Sequence, residues 1–105
     1  MLFLVYRKDK PGNLHVRLAN YQAHLDYLKS YPGQILLGGP TLGAGAGVGD
    51  QDMTGSFLII EADSWEQVDA FVANDPFTKA ALFATTLVER WKHGKHDAPD
   101  HTAQK

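Results

Sequence analysis

"GSFLIIEADSWEQVDAFVANDPF", residues 55–77, changes its period part-way along. In "SFLIIEA" the apolar residues are consecutive, the pattern of a strand buried on both faces. Asp63 or Ser64 can then cap a helix running through Ala73, with Glu66 and Gln67 near the position that completes a capping box. At "NDPF" the helix is interrupted, and "PFTKAALF" predicts a short helical turn. Asp75 can cap that turn, because proline is favoured at a first helical position. It can also be half of a catalytic pair. The two roles are compatible, since one carboxylate oxygen can take a backbone amide while the other meets an imidazole.

Outward from this block the elements follow in a regular order. Leu2–Arg7 reads as a first strand, apolar on both faces, and "KDKPGN" as a turn. Leu14, Leu18, Tyr21, Leu25 and Leu28 recur at spacings of four and three, one apolar stripe of a helix that "SYPGQ" ends. "QILLGG" is a second strand. "PTLGAGAGVGDQDMTG" is glycine-rich, has no period, and reads as a loop. "TTLVERWK" is β-branched and aromatic enough for a fourth strand. Residues 1–92 thus form one α+β domain in the order βαββαβ, and residues 93–105 a polar tail. That order predicts a ferredoxin-like sandwich, a four-stranded antiparallel sheet with helices on one face. Strands apolar on both faces need a second cover, and a homodimer is the simplest source of one.

Bulk composition narrows the function classes. The chain has 105 residues, 44% hydrophobic and 21% charged, enough for one soluble folded domain. Its formal net charge is −2 and it has no long basic run, which argues against nucleic acid as a partner. It has no cysteine, so disulfides, thiolate metal sites and cysteine nucleophiles are excluded, in keeping with a cytoplasmic location. "MLFLVYRKDKPG" is apolar for only a few residues, and the expectation is neither a signal peptide nor a membrane span.

The first helix carries chemistry beside its apolar stripe. At roughly 100° per residue, Arg17, Asn20 and His24 project along one edge of it. A cation and a base on the border between core and solvent form a plausible site wall, although an imidazole there often only bridges core and water. The glycine-rich segment is no phosphate loop: it lacks the terminal Gly-Lys-Ser/Thr, and a strand rather than a helix follows it. Gly38 and Gly39, at a strand end, let backbone approach a ligand or a neighbouring strand. His93, His96 and His101 belong to no carboxylate–histidine constellation on a rigid element, so no metal site is expected. His15 falls on the polar side of its helix.

Taken in order, "LFLVYR", "RLANYQAHLDYLKS", "GQILLGGP", "GSFLIIEADSWEQVDAFVANDPF" and "LVERWK" are similar to the YCII-related (YciI-like) family over about residues 1–92. The resemblance implies a ferredoxin-like, dimeric α/β barrel-type fold. It implies a site built from a histidine of the first helix and an aspartate of the DP turn, here His24 and Asp75. Characterised members resemble lyases that remove hydrogen chloride from chlorinated ring or lactone intermediates of aromatic breakdown. Related barrels serve muconolactone isomerases and small monooxygenases.

The expected function is a cofactor-independent lyase or isomerase acting on a small cyclic metabolite. His24 is the general base, Asp75 orients it, and Arg17 holds a carboxylate or phenolate. Gly39 and Ser56 are expected to line the pocket, and Phe77 or Trp91 to wall it. The alternative is a non-catalytic dimeric module that binds a small metabolite, in which Asp75 is only a cap.

Overall fold

The structure is a computed structural model that describes residues 1–45 and 52–94. The elements are β1 (Leu2–Asp9), α1 (Leu14–Lys29), β2 (Ile35–Leu42), β3 (Met53–Glu61), α2 (Trp65–Asn74), α3 (Pro76–Lys79) and β4 (Phe83–Trp91). Among the described residues the strands form one antiparallel sheet in the order β2-β3-β1-β4. This is the predicted α+β sandwich, with α1 and α2 over one face.

Alternation along the central strands builds the core. Phe3 and Val5 of β1, Leu58 and Ile60 of β3, and Ala62 beyond it pack against Val68 and Phe71 of α2. Residues of the opposite parity, Leu4, Tyr6, Phe57 and Ile59, pair with one another on the far face. Leu87 pairs with Tyr6 there and Leu37 with Ile59, and both leucines are exposed.

Helix α2 starts as its sequence dictates. Ser64 Oγ accepts from the Gln67 amide, and Gln67 Oε1 reaches back to the amide of Asp63 rather than Ser64. It ends at Asn74, because Asp75 is extended and Pro76 opens α3.

Three expectations change. First, the long loop is shorter than predicted: β2 runs on to Leu42 and β3 begins at Met53, with Pro40 opposite Ser56 and Thr41 opposite Gly55. Pro40 is tolerated because β2 is an edge strand. Gly55 is required here, since a Cβ would run into the carbonyl oxygen of Arg7 on β1. Residues 46–51 of that loop, and 95–105 of the tail, lie outside the described residues. Second, α3 stops at Lys79, and Phe83, assigned to the helical turn, opens β4. Ala81, at φ 57°, makes the reversal between them.

Third, α1 is rolled relative to its apolar stripe. Leu18 and Leu25 are 41% and 37% exposed, whereas Arg17 and His24 are 2% and 7% exposed. The inward seam is buried Arg17 and His24 with half-buried Tyr21, Tyr27 and Leu28, about one residue round from the stripe. The polar pair can turn inward because the structure supplies hydrogen-bond partners for it.

Candidate active site

The site is assembled from β1, β3, α1 and the turn before α3. Asp75 is fully buried, and Phe77 N donates to its Oδ1 at 2.9 Å, the predicted cap. The same carboxylate faces two further groups. His24 Nδ1 is 2.9 Å from Oδ1 and 3.0 Å from Oδ2. Arg7 Nη1 donates to Oδ2 at 3.0 Å. Burial alone would push the Asp75 carboxyl up. The His24 hydrogen bond, the Arg7 charge and the Phe77 amide more than reverse this and hold it below the usual carboxylate range.

The imidazole is fixed on its flat side too. Its ring stacks on Phe77, centroids 4.0 Å apart and planes at 14°. With Nδ1–H donating to Asp75, the lone pair is on Nε2, at the opposite edge of a ring that lines a cavity.

That cavity, about 380 Å³, lies between α1 and the β2–β3 edge of the sheet. Leu25, Leu28, Ile35 and Leu58 give it apolar walls. Arg17, His24 and Ser56 give it one polar end. Arg17 is locked at that end: Nε and Nη2 donate to Asp9 Oδ2 and Oδ1 at 2.7 and 2.9 Å, and Nη2 also donates to Ser56 Oγ at 3.0 Å. The guanidinium lies over Phe77, 4.7 Å from its centroid. Phe77 therefore backs both the imidazole and the guanidinium.

The structure thus brings His24 and Asp75 together and sets Arg17 and Ser56 beside them. Gly39 lines the cavity through its backbone, and a Cβ there would meet nothing within 4 Å. Gly38 is the constrained glycine, since its Cβ would strike Leu58 and come within 2.9 Å of Phe57 O. Trp91 stands apart, at the end of β4 opposite Leu2 and against His93. Asn20 bonds the Val16 carbonyl of its own helix. Among the described residues no group of three or more His, Cys, Asp or Glu is placed to hold a metal ion. Among them, too, no helix is long and apolar enough to cross a membrane.

Two site residues escape the sequence reading, Arg7 and Asp9. Arg7 follows Phe3 and Val5 at the inward parity of β1, and a cation on a buried strand face is the signal that could have found it. Asp9 is hidden inside what reads as turn chemistry.

Comparison with known proteins shows the family and the fold. The family model described as the YCII-related domain matches residues 1–92. Protein YciI of Escherichia coli O6:H1 is 32% identical over 95 residues, covering 88% of this chain and 97% of that protein. Among solved structures, 5-chloro-2-hydroxyhydroquinone dehydrochlorinase from Burkholderia phenoliruptrix AC1100, in complex with 2,5-dihydroxybenzoquinone, is 67% identical. Its TM-score is 0.89, with 93% of this chain and 100% of that one covered. An antibiotic biosynthesis monooxygenase shares the fold, at TM-score 0.53 and 18% identity over 90% of this chain and 100% of its own.

Proposed function

Because the chain belongs to the YCII-related family, we propose that it is a cofactor-independent lyase that removes hydrogen chloride from a small chlorinated, hydroxylated ring. The observation that carries this is the His24–Asp75 pair, with the imidazole lining a cavity of ring size. The 67% identity to a dehydrochlorinase supports the reaction class, and the dihydroxybenzoquinone bound by that relative supports a planar oxygenated ring as the ligand type.

His24 Nε2 takes a proton from a ring hydroxyl or from a carbon next to a carbonyl. The ring reacts as its keto tautomer, in which a hydroxyl hydrogen has moved to the chlorine-bearing carbon. The electron pair of the O–H or C–H bond that His24 breaks then forms the new π bond as the carbon–chlorine bond breaks. The proton on His24 and the released chloride together account for the lost hydrogen chloride, and no oxidant or reductant is consumed. Asp75 holds the ring with Nε2 toward the substrate and stabilises the imidazolium that forms. Arg17 and Ser56 stabilise the charge that develops on a substrate oxygen, and the pair with Asp9 keeps the guanidinium from reorganising. Apolar walls exclude water and strengthen these interactions.

The same proposal takes the protein to be a cytoplasmic homodimer. Supporting the dimer are the exposed Leu37 and Leu87 on the far sheet face.

The test is chloride release, with quinone absorbance, from 5-chloro-2-hydroxyhydroquinone under anaerobic conditions. Turnover by the wild type that is lost in a folded His24→Ala variant is the expected result. Ring binding without chloride release would favour a metabolite-binding module.

A further inference from the structure

We propose that Arg7 is a positioning residue of this site. Its buried cation balances Asp75, so that the Arg7–Asp75–His24 cluster is uncharged until His24 takes a proton. The inference deepens the assignment of His24 as the base and rests on it.

Arg7 is placed for its charge rather than for its hydrogen bonds. It is 0% exposed, yet among the described residues only Nη1 finds a partner, Asp75 Oδ2. Its Nε and Nη2 are buried and make no hydrogen bond among the described residues. One face of the guanidinium lies against Phe83, 4.5 Å from the ring centroid. Orphaned buried donors cost stability, and a buried ion pair seldom stabilises more than apolar residues of the same volume. A guanidinium serving only the core would be better satisfied or absent. What Arg7 supplies at this position is a positive charge on the carboxylate that faces the imidazole.

That charge decides which form of His24 rests in the site. A lone buried carboxylate against an imidazole holds the proton on it, and an imidazolium is no base. With Arg7 already paired to Asp75, the carboxylate still accepts from Nδ1–H and still orients the ring, but its charge is balanced. The other charged or titratable groups around the ring leave that balance in place. Arg17, on α1, is neutralised by Asp9 of β1. Tyr27, also on α1, stays a neutral phenol, because burial above all pushes its pKa up. Tyr21 of α1 completes the set on the cavity side, while Ser56 of β3 and Phe77 of α3 carry no charge. Arg7 itself is lowered by burial, opposed by the Asp75 charge, from a value so high that it remains a cation at working pH.

The experiment is an imidazole ¹⁵N NMR titration of His24, assigned by the resonance missing in His24→Gln. It compares wild type, Arg7→Met, Asp75→Asn, Arg7→Lys and the double variant Arg7→Met/Asp75→Asn. Removing Arg7 alone is expected to raise the midpoint by about one pH unit or more, and removing Asp75 alone to lower it by a similar amount. The double variant, a neutral pair in place of an ion pair, and Arg7→Lys, which keeps the charge, are both expected to titrate with the wild type. A folded Arg7→Met with an unmoved midpoint overturns the proposal. If that variant does not fold, a double variant or an Arg7→Lys displaced by about a unit from the wild type overturns it. No substrate is needed, so absence of chloride release would sink the lyase assignment while leaving this result standing.

Discussion

His24 and Asp75 meet across 51 positions of the chain, with Nδ1 placed between both carboxylate oxygens at 2.9 and 3.0 Å. A carboxylate that only accepts requires Nδ1 to be the donor, so the neutral ring must carry its proton there and leave Nε2 bare. Long-range ¹H–¹⁵N spectra of the neutral ring should show the Nδ1–H tautomer for His24. A protonated Nε2 with bare Nδ1 would remove it as the cavity base.

Truncating His24, the proposed base, should remove the proposed reaction and spare the fold. His24→Gln and His24→Ala are expected to lower kcat by roughly 10²–10⁴, the usual worth of a general base, with unchanged far-UV circular dichroism. A variant retaining more than a tenth of the wild-type rate would move the proton transfer to another group.

Asp75→Asn separates a cap from a charge partner. Loss of a helix cap alone costs about 1 kcal/mol. Breaking a buried ion pair by removing one partner costs about 3–5 kcal/mol, because Arg7 would be left buried and uncompensated. Urea unfolding should give the larger figure, and Arg7→Met/Asp75→Asn should recover part of it.

The depressed Asp75 carboxyl also sets an acid limit on stability. A carboxyl whose folded pKa lies below its unfolded one stabilises the fold fully above the unfolded value, here 3.8. That contribution is lost as pH falls through the folded value. Wild-type stability should therefore fall more steeply below about pH 4 than that of Arg7→Met/Asp75→Asn. Parallel curves from urea midpoints across this range would show that Asp75 is not the group responsible.

Arg17→Lys keeps the charge and loses the fork. An ammonium cannot bridge both oxygens of Asp9 and the Ser56 hydroxyl in one plane as the guanidinium does. The expected loss in kcat/KM is about 10²-fold, the usual effect of removing one oxyanion donor, with stability reduced less than in Asp75→Asn. An unimpaired Arg17→Lys would confine Arg17 to a structural role.

The far sheet face gives a separate expectation. Sedimentation at micromolar concentration should find a dimer, and Leu87→Asp should dissociate it. A stable wild-type monomer would leave the exposed Leu37 and Leu87 without a partner surface.

The element order was legible in the sequence because it depends on local pattern. Consecutive apolar runs, a 3.6-residue stripe, Ser64 with Gln67 and the Asn-Asp-Pro turn all act within a few residues. They specified a βαββαβ sandwich and placed Asp75 at a helix start. The resemblance carried by those same blocks singled out His24 and Asp75. The extent of β2 and β3 was not legible, since Pro40–Leu42 and Met53–Gly55 become strand only by pairing across the loop. The face of α1 that turns inward was not legible either. Hydrophobicity pointed to Leu18 and Leu25, and tertiary structure chose Arg17 and His24, because Asp9, Ser56 and Asp75 wait on the other side to satisfy them. Sequence by itself determined which elements form and which residues could do chemistry. Only the fold decided that Arg7 of β1 and His24 of α1 share one buried carboxylate, because burial and long-range hydrogen bonding belong to three-dimensional proximity and leave no local period.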